Sequence, residues 1–535
     1  MAHGTNPAAG ARTIVIDPVT RIEGHMKIEV VVDGGVVKDA RSSGTLWRGI
    51  ENILVGRHPF DAVRLTQRVC GVCPMIHSQA SAGCLDAALG VSEQVPPNGR
   101  IVRNLLLASN YLQSHILHFF TLAALDYVDV TALADYAGPE RELANVKAFI
   151  DRGSLGPFLP RYEGDYRCSK QTNIDLVRGY LRALGARRVC HEMIAEFGGK
   201  MPHNVAVVPG GVLAEVTSDK IAFVATRLAE VSDFIDQIYI PAVLTVAGAY
   251  GDYFDIGAGC RRYLAYGVFD QDAAANPLAR KRLFPGGLIG SDGRLGAVDI
   301  EKITEDVSHS RYAAECAAKP AEGKTIPEPD KPGAYTWLKA PRYDGAPAEV
   351  GPLARTLIGH AAGGAIKPHV DAALAAAKLP AAKLQSVLGR HLTRALEARV
   401  LATAMAEWLT QLEPGGPVCA ALEIPQESRG AGLLDGPRGA LGHWIEIQDK
   451  KIARYQLVVP TTWNGSPRDA AGTPGPIEQA LIGTKVRDRE NPFEVTRIIR
   501  SFDPCLACAV HAVSIKGDVL CKCRVIYAVN SASPV

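Results

Sequence analysis

Two short stretches, one near each end of the chain, restrict the fold more than anything between them. The first reads Thr66-Gln67-Arg68-Val69-Cys70-Gly71-Val72-Cys73-Pro74-Met75-Ile76-His77, and the second Asp503-Pro504-Cys505-Leu506-Ala507-Cys508-Ala509-Val510-His511. Each holds a C-x-x-C pair followed closely by a histidine. Paired thiolates at this spacing chelate a soft metal, and two pairs complete a four-sulfur set. Cys73 and Cys505 stand 432 positions apart (505 − 73), whereas the pairs of a zinc ribbon sit close together in one small module. If the two pairs meet, both ends of the chain fold onto one point and everything between builds the body around it. Spacing alone leaves three readings open: a structural metal such as zinc, a catalytic metal, or coincidence.

The bulk composition narrows the class. A chain of 535 residues exceeds one small core, so two or three lobes are expected. Lys and Arg total 58 against 56 Asp and Glu, a formal charge of +2 that gives no support for nucleic-acid binding. Of the 12 cysteines, Cys84, Cys168, Cys190, Cys260, Cys316 and Cys419 are scattered singly and the rest lie in close pairs. That pattern suits a reducing compartment and metal binding rather than a secreted disulfide framework. No apolar run reaches the roughly 18 residues of a membrane span. The nearest, Ile238 to Tyr250, contains Pro241 and reads as a buried helix. Met1 to Arg12 lacks the apolar core of a signal peptide, although a partner carrying its own signal could export both chains.

In chain order, residues 1–97 are β-rich and carry the first cysteine pair. Thr13 to Ile16 reads as a strand, and Met26 to Val32 turns through Asp33-Gly34-Gly35 into Val36-Val37 as a hairpin. The loop Asp17 to His25 is dense in ionisable groups, for which solvation is the plain reading. Residues 98–250 are helical, with apolar positions recurring every three or four residues from Asn98 and a surface insertion at about 136–170. A loop-rich mixed segment follows at 251–355, then a long helical segment at 356–413 closed by Pro414-Gly415-Gly416. Residues 414–511 return to strands (Trp444 to Ile447, Gln456 to Val459) before the second cysteine pair. The expected architecture is a multidomain α+β protein. A central bundle of long helices receives mixed α/β segments from the N- and C-terminal parts.

The residues around the cysteines resemble a known family. Arg68-x-Cys70-Gly71-x-Cys73 with His77, and Asp503-Pro504-Cys505-x-x-Cys508 with His511, match the two signatures of the large, catalytic subunit of nickel–iron hydrogenases. Thr20 to His25, Trp337 to Tyr343, Pro437 to Trp444 and Val459 to Asn464 are similar to that family as well. These blocks run in order across nearly the whole chain. The resemblance implies the fold of that subunit and heterolytic cleavage of H2 to protons and electrons at a Ni–Fe centre. It also implies Cys70 and Cys505 as terminal nickel ligands, with Cys73 and Cys508 bridging to an iron that carries carbon monoxide and cyanide. Pro460 and Thr461 then line the pocket for those ligands, the hydroxyl donating to a cyanide nitrogen. Arg438 becomes the guanidinium over the open metal position, with Asp503 as a carboxylate beside it. The plain alternatives are a surface arginine paired with Asp435, and a helix cap for Asp503. Glu23 matches the family's proton gate. Glu51, the backbone carbonyl of Leu457 and His511 match a structural magnesium site, and His77 is either a group near the partner's nearest cluster or a core histidine.

Other expectations rest on the same resemblance. Ser114 stands where many relatives carry an aspartate near the arginine, so a changed hydrogen-bond network is expected there. Residues 512–535 look like a tail removed by a maturation endopeptidase after nickel-insertion proteins have acted. No cysteine array remains for clusters, so electrons need an obligate iron–sulfur small subunit. A higher oligomer of such heterodimers is the expected assembly, cytoplasmic and membrane-associated only through partners. The insertion and several blocks look closest to an actinobacterial-type, high-affinity uptake group. The competing functions are a hydrogen-sensing regulatory hydrogenase, a respiratory-complex core subunit on the same fold, whose relatives lack the metal cysteines, and a zinc-stabilised binding protein.

Overall fold

The computed structural model describes residues 10–153 and 155–509. His511 and the 512–535 tail lie outside the described residues. The chain starts in a three-stranded antiparallel sheet of β1 (Arg12–Ile16), β2 (Met26–Asp33) and β3 (Val36–Gly44). In β2 the strict alternation buries Met26, Ile28, Val30 and Val32 and leaves the intervening residues half-covered. Gly34 and Gly35 make the two-residue turn, with Asp33 paired to Val36.

The helices that build the body around the site include α1 (Pro74–Ala88), α2 (Pro97–Leu117), α3 (Lys170–Gly198), α4 (Ser218–Phe234), α5 (Ile240–Ala249), α6 (Pro352–Ala361) and α7 (Val387–Thr410). Helix α7 is the bundle's axis, packed against α2, α4, α5 and α6, while α3 covers α2 and α4. It starts where the Ser386 hydroxyl accepts from the Gly389 amide at 3.0 Å, a cap worth about 1 kcal/mol. Helix α5 differs from the expected buried helix. Val243 and Val246 are covered, but Leu244 is 45% exposed, so one face lies at the surface. Residues 263–343 form short strands and single 3-10 turns joined by loops.

The C-terminal part is a three-stranded meander, β4 (Glu427–Gly436), β5 (Gly439–Gln448) and β6 (Lys451–Val458). It lies on α1 at unusually close range. A Cβ on Gly432 would fall 2.0 Å from the Ala80 carbonyl oxygen, and one on Gly430 would fall 2.2 Å from that of Cys84. Only glycine permits that approach, so strand and helix backbones are in contact. The helix that begins beside the first cysteine pair is thereby fixed to the hairpin that carries Arg438. Helix α8 (Phe493–Ser501), buried throughout, then delivers the second pair. Among the described residues no helix is long and apolar enough to cross a membrane.

One buried carboxyl outside the site gives a test of this packing. Glu478, on the short helix Pro476–Leu481, accepts from the Ser42 amide of β3 at 2.9 Å and from the Tyr335 hydroxyl at 2.8 Å. Its other oxygen has no hydrogen-bond partner. Burial pushes this carboxyl from its usual 4.5 up to about 7. The folded state therefore keeps a proton that the unfolded chain releases, and stability falls as pH rises through the window between those values. The loss by pH 8 is about 3 kcal/mol. In urea titrations across that window, Glu478→Gln is expected to lack this slope and to exceed the parent at pH 8. Identical pH profiles for both would contradict the assignment.

Candidate metal centre

The first cysteine pair is held by the start of α1. Cys73 is its N-cap residue and Pro74 fills the first helical position, where a missing amide costs nothing. The second pair follows α8 through Asp503 and Pro504. The N-terminal loop lies alongside it, because Leu506 donates its amide to the Glu23 carbonyl at 2.8 Å and Glu23 donates to that of Pro504 at 3.3 Å. Arg48 ties the pairs together from the side by donating to the Val69 and Ala507 carbonyls.

The two pairs meet. Cys70 Sγ is 3.5 Å from Cys505 Sγ, Cys73 Sγ is 3.4 Å from Cys508 Sγ, and Cys505 Sγ is 3.0 Å from Cys508 Sγ. All four sulfurs lie within 4.8 Å of one another and all four residues are buried. These separations far exceed a disulfide bond and approach the ~3.8 Å edge of a sulfur tetrahedron around a metal at ~2.3 Å. The electrostatics fit the same reading. Cys70 is held well below the usual thiol range, chiefly by donation from Cys505 and Cys508, whereas burial drives the Cys505 and Cys508 thiols well above it. Four sulfurs so enclosed cannot all ionise unless a cation shares the cavity. The donor set therefore fits a thiophilic metal.

Arg438 occupies the turn between β4 and β5 and is 3% exposed. The alternative of a surface arginine paired with Asp435 is not met: Asp435 faces Arg355 at 3.5 Å instead. Arg438 donates through Nη2 to Asp503 Oδ1 and through Nε to the Asp503 carbonyl, both at 3.0 Å, and lies 3.4 Å from the Ser114 hydroxyl. Burial opposes its charge, but Asp503 and the cysteine sulfurs outweigh that and hold it firmly protonated. Asp503, at φ 56°, presents its backbone carbonyl and side chain to one guanidinium. A cavity of about 10 Å³ beside the sulfurs is lined by Cys73, Pro437, Arg438, Pro460, Thr461 and Cys508, among others. The Thr461 hydroxyl accepts from the Cys505 amide at 2.9 Å, which leaves its own hydrogen free to donate.

Glu23 reaches the same sulfurs from the N-terminal loop. Its Oε2 accepts from Cys505 Sγ at 3.1 Å and from the Ala507 amide at 3.0 Å. Burial raises its pKa, and negative charge on Cys70 adds to that. The carboxyl is thus in hydrogen-bond contact with a candidate ligand. His77 stands against the sulfurs, with Nε2 3.5 Å from Cys508 Sγ. Its Nδ1 meets His443 Nε2 at 3.3 Å, and His443 Nδ1 meets the Tyr455 hydroxyl at 2.8 Å. Burial lowers the His77 pKa to about 4, so it stands neutral. Sequence reasoning missed Arg48, His443 and Tyr455. The only available signal was their position inside matched or adjacent blocks.

Glu51 sits apart from the sulfurs. Its Oε1 accepts from the Leu457 amide at 2.9 Å and its Oε2 from the Thr325 hydroxyl. Gln456 donates to Thr325 at 3.1 Å, and Lys339 donates to Glu305 at 2.9 Å and to Gln456 at 3.2 Å. Two expected magnesium positions, Glu51 and Leu457, are therefore adjacent, while the third, His511, lies outside the described residues.

Comparison with known proteins agrees with this geometry. The family profile described as nickel-dependent hydrogenase matches residues 48–511, and one described as HoxL-like matches 13–43. The periplasmic NiFeSe hydrogenase large subunit of Desulfomicrobium baculatum is 43% identical, covering 96% of this chain and 98% of its own. The uptake hydrogenase large subunit of Bradyrhizobium diazoefficiens is 36% identical over 98% of this chain and 99% of its own. The reduced Ni-Fe-Se hydrogenase of D. vulgaris Hildenborough superposes with a TM-score of 0.85 at 43% identity, covering 94% of this chain and 100% of that one. A nickel-dependent family over most of the chain, and four buried sulfurs converging from its two ends, decide among the three readings left open by spacing. The chain belongs to the nickel-dependent hydrogenase family and is the large, metal-bearing subunit of a nickel–iron hydrogenase.

Proposed function

We propose that this subunit oxidises H2, with Cys70, Cys73, Cys505 and Cys508 holding nickel and the electrons leaving through an iron–sulfur small subunit. The observation that carries the reading is the convergence of a carboxyl and a guanidinium on four buried sulfurs. In this reading Cys70 and Cys505 would hold nickel alone, and Cys73 and Cys508 would hold it together with an iron that carries carbon monoxide and cyanide. Pro460 and the free hydrogen of Thr461 would line the space for those diatomic ligands. When bound, the Ni–Fe group supplies the electrophilic centre at which the H–H bond is split heterolytically.

The protein's own groups do the rest. Arg438, fixed by Asp503, places a permanent cation beside the sulfurs and favours charge separation in a site closed to bulk water. Glu23 takes the proton from Cys505 Sγ at hydrogen-bond distance, its raised pKa matching a group that must both accept and release. Glu51, Leu457 and His511 form a magnesium site that secures the C-terminal end. The tail after His511 is removed during maturation by a dedicated endopeptidase following nickel insertion. Heterodimers assemble further into a higher oligomer. The free cysteines among the described residues fit a reducing compartment, and the cytoplasm is the compartment assigned, with membrane association through partners. The actinobacterial-type uptake group remains the subgroup reading, carried by the insertion and the wording of the blocks.

Turnover tests the enzyme reading directly. The purified heterodimer is expected to reduce an artificial acceptor with H2 and to show infrared bands of carbon monoxide and cyanide on iron. Absent or very slow turnover would shift the reading to a hydrogen sensor. The Ser114 position offers a finer test. Ser114→Asp places a second carboxylate against Arg438 and is expected to alter H2 affinity or oxygen tolerance while turnover survives. A variant unchanged in all three properties would refute a role for this departure.

A further inference from the structure

Arg438 is held by Asp503 in front, but the turn that carries it is not self-supporting. Gly436 pairs with Gly439, so Pro437 and Arg438 are the two loop residues of the hairpin. Such loops favour residues that accept positive φ, typically Asn-Gly. Proline cannot adopt that conformation, and Arg438 is not among the residues with positive φ. The unusual backbone angle falls instead on Gly439, at φ 128°. A Cβ there would meet the Gly351 amide nitrogen at 2.5 Å. The turn is therefore shaped from outside.

What shapes it is visible behind the hairpin. Three consecutive carbonyls are each held by a side chain. The Tyr111 hydroxyl of α2 donates to the Asp435 carbonyl at 2.6 Å, and Arg355 of α6 donates to those of Gly436 and Pro437 at 2.7 and 3.2 Å. Arg355 is fully buried and forks onto Glu397 of α7, with Nε at 2.9 Å from Oε1 and Nη2 at 2.8 Å from Oε2. Glu397 Oε2 also meets His115 Nε2 at 3.1 Å, and His115 is the neighbour of Ser114. Four of the guanidinium's five donors are spent on Glu397 and the turn, and Asp435 Oδ1 lies 3.5 Å from Nη1. The arrangement has the geometry of a clamp, anchored on the bundle axis and closed on the residue before Arg438.

We propose that Arg355, braced by Glu397, is a positioning residue that sets where the Arg438 guanidinium stands over the sulfurs. It touches neither the sulfurs nor Arg438's side chain, and acts only through the Gly436–Pro437 backbone. The inference rests on the reading of Arg438 given above, so the test is a double-variant cycle. Arg355→Lys keeps the charge but loses the planar fork. In the otherwise unaltered heterodimer it is expected to lower kcat by about 30-fold, a loss typical of an angstrom-scale displacement, with KM for H2 and nickel per chain unchanged. In an Arg438→Lys background the same change is expected to alter kcat less than about twofold, since a residue acting only through Arg438 has nothing left to position. Amide hydrogen exchange at residues 438–440 should quicken in Arg355→Lys, a readout independent of turnover. Glu397→Gln, which preserves shape, should reproduce both effects more weakly and serves if Arg355→Lys does not fold. Equal losses in both backgrounds, or exchange at the turn unchanged, would overturn the proposal. A single Arg438→Lys variant with full kcat would instead refute the reading of Arg438 itself.

Discussion

Arg438→Lys is expected to reduce turnover by about 100-fold while leaving nickel occupancy and the fold intact. The reason is geometric rather than a matter of charge. Two nitrogens of the guanidinium engage Asp503 at once, through its side chain and its backbone carbonyl, and the third faces Ser114. Those contacts fix the plane of the group against the sulfur cavity. A lysine ammonium carries the same charge on a flexible stem and cannot reproduce three directed contacts. Burial adds to the effect, because a displaced cation in this water-poor cavity loses interactions that solvent would not replace. Initial rates against H2 concentration would separate the parameters. A fall in kcat with KM nearly constant is the expected pattern, and unchanged kcat would remove Arg438 from the account.

Glu23→Gln is expected to cost still more, about 1000-fold in turnover. The amide can keep the contact with the Ala507 N–H, so the loop from Asp17 to His25 should retain its place. What disappears is a group able to take a proton from Cys505 Sγ, 3.1 Å away, and release it again. Exchange between D2 and solvent protons should fall in parallel, since proton exit is the impaired step. Metal content should not change. Parent-like exchange in Glu23→Gln would mean that protons leave by another route.

The parts of this protein that were legible in its sequence share a physical property: their signal is local. The alternation in Met26 to Val32 and the Gly34-Gly35 turn define a hairpin without reference to anything else. The apolar periodicity after Pro97, and the Pro-Gly stop after Thr410, likewise mark α2 and α7. The cysteine pairs were conspicuous because C-x-x-C is itself a local chelate, and family resemblance supplied the pairing across the chain.

What was not legible depends on partners distant in sequence. Strand β4 reads Glu-Ser-Arg-Gly-Ala-Gly, with no apolar alternation, because its glycines face the α1 backbone rather than side chains. Arg355, Arg390 and Glu397 look like surface charges on their helices. They are buried because each finds its counter-ion on another element, as Arg390 does with Glu349 at 2.7 Å. The chain His77–His443–Tyr455 joins α1 to β5 and β6, and nothing in any one segment announces it. Arg438 and its partner Asp503 were placed together by their motifs, whereas the alternative pair with Asp435 fails because that carboxylate faces the buried Arg355.

The central claim is that four cysteines from the two ends of the chain enclose one nickel ion. Nickel X-ray absorption on the purified heterodimer tests it most directly. The account predicts a first shell of four sulfur scatterers at about 2.3 Å, falling to three when Cys70 is replaced by serine. A shell dominated by nitrogen or oxygen, or zinc in place of nickel in active protein, would contradict it.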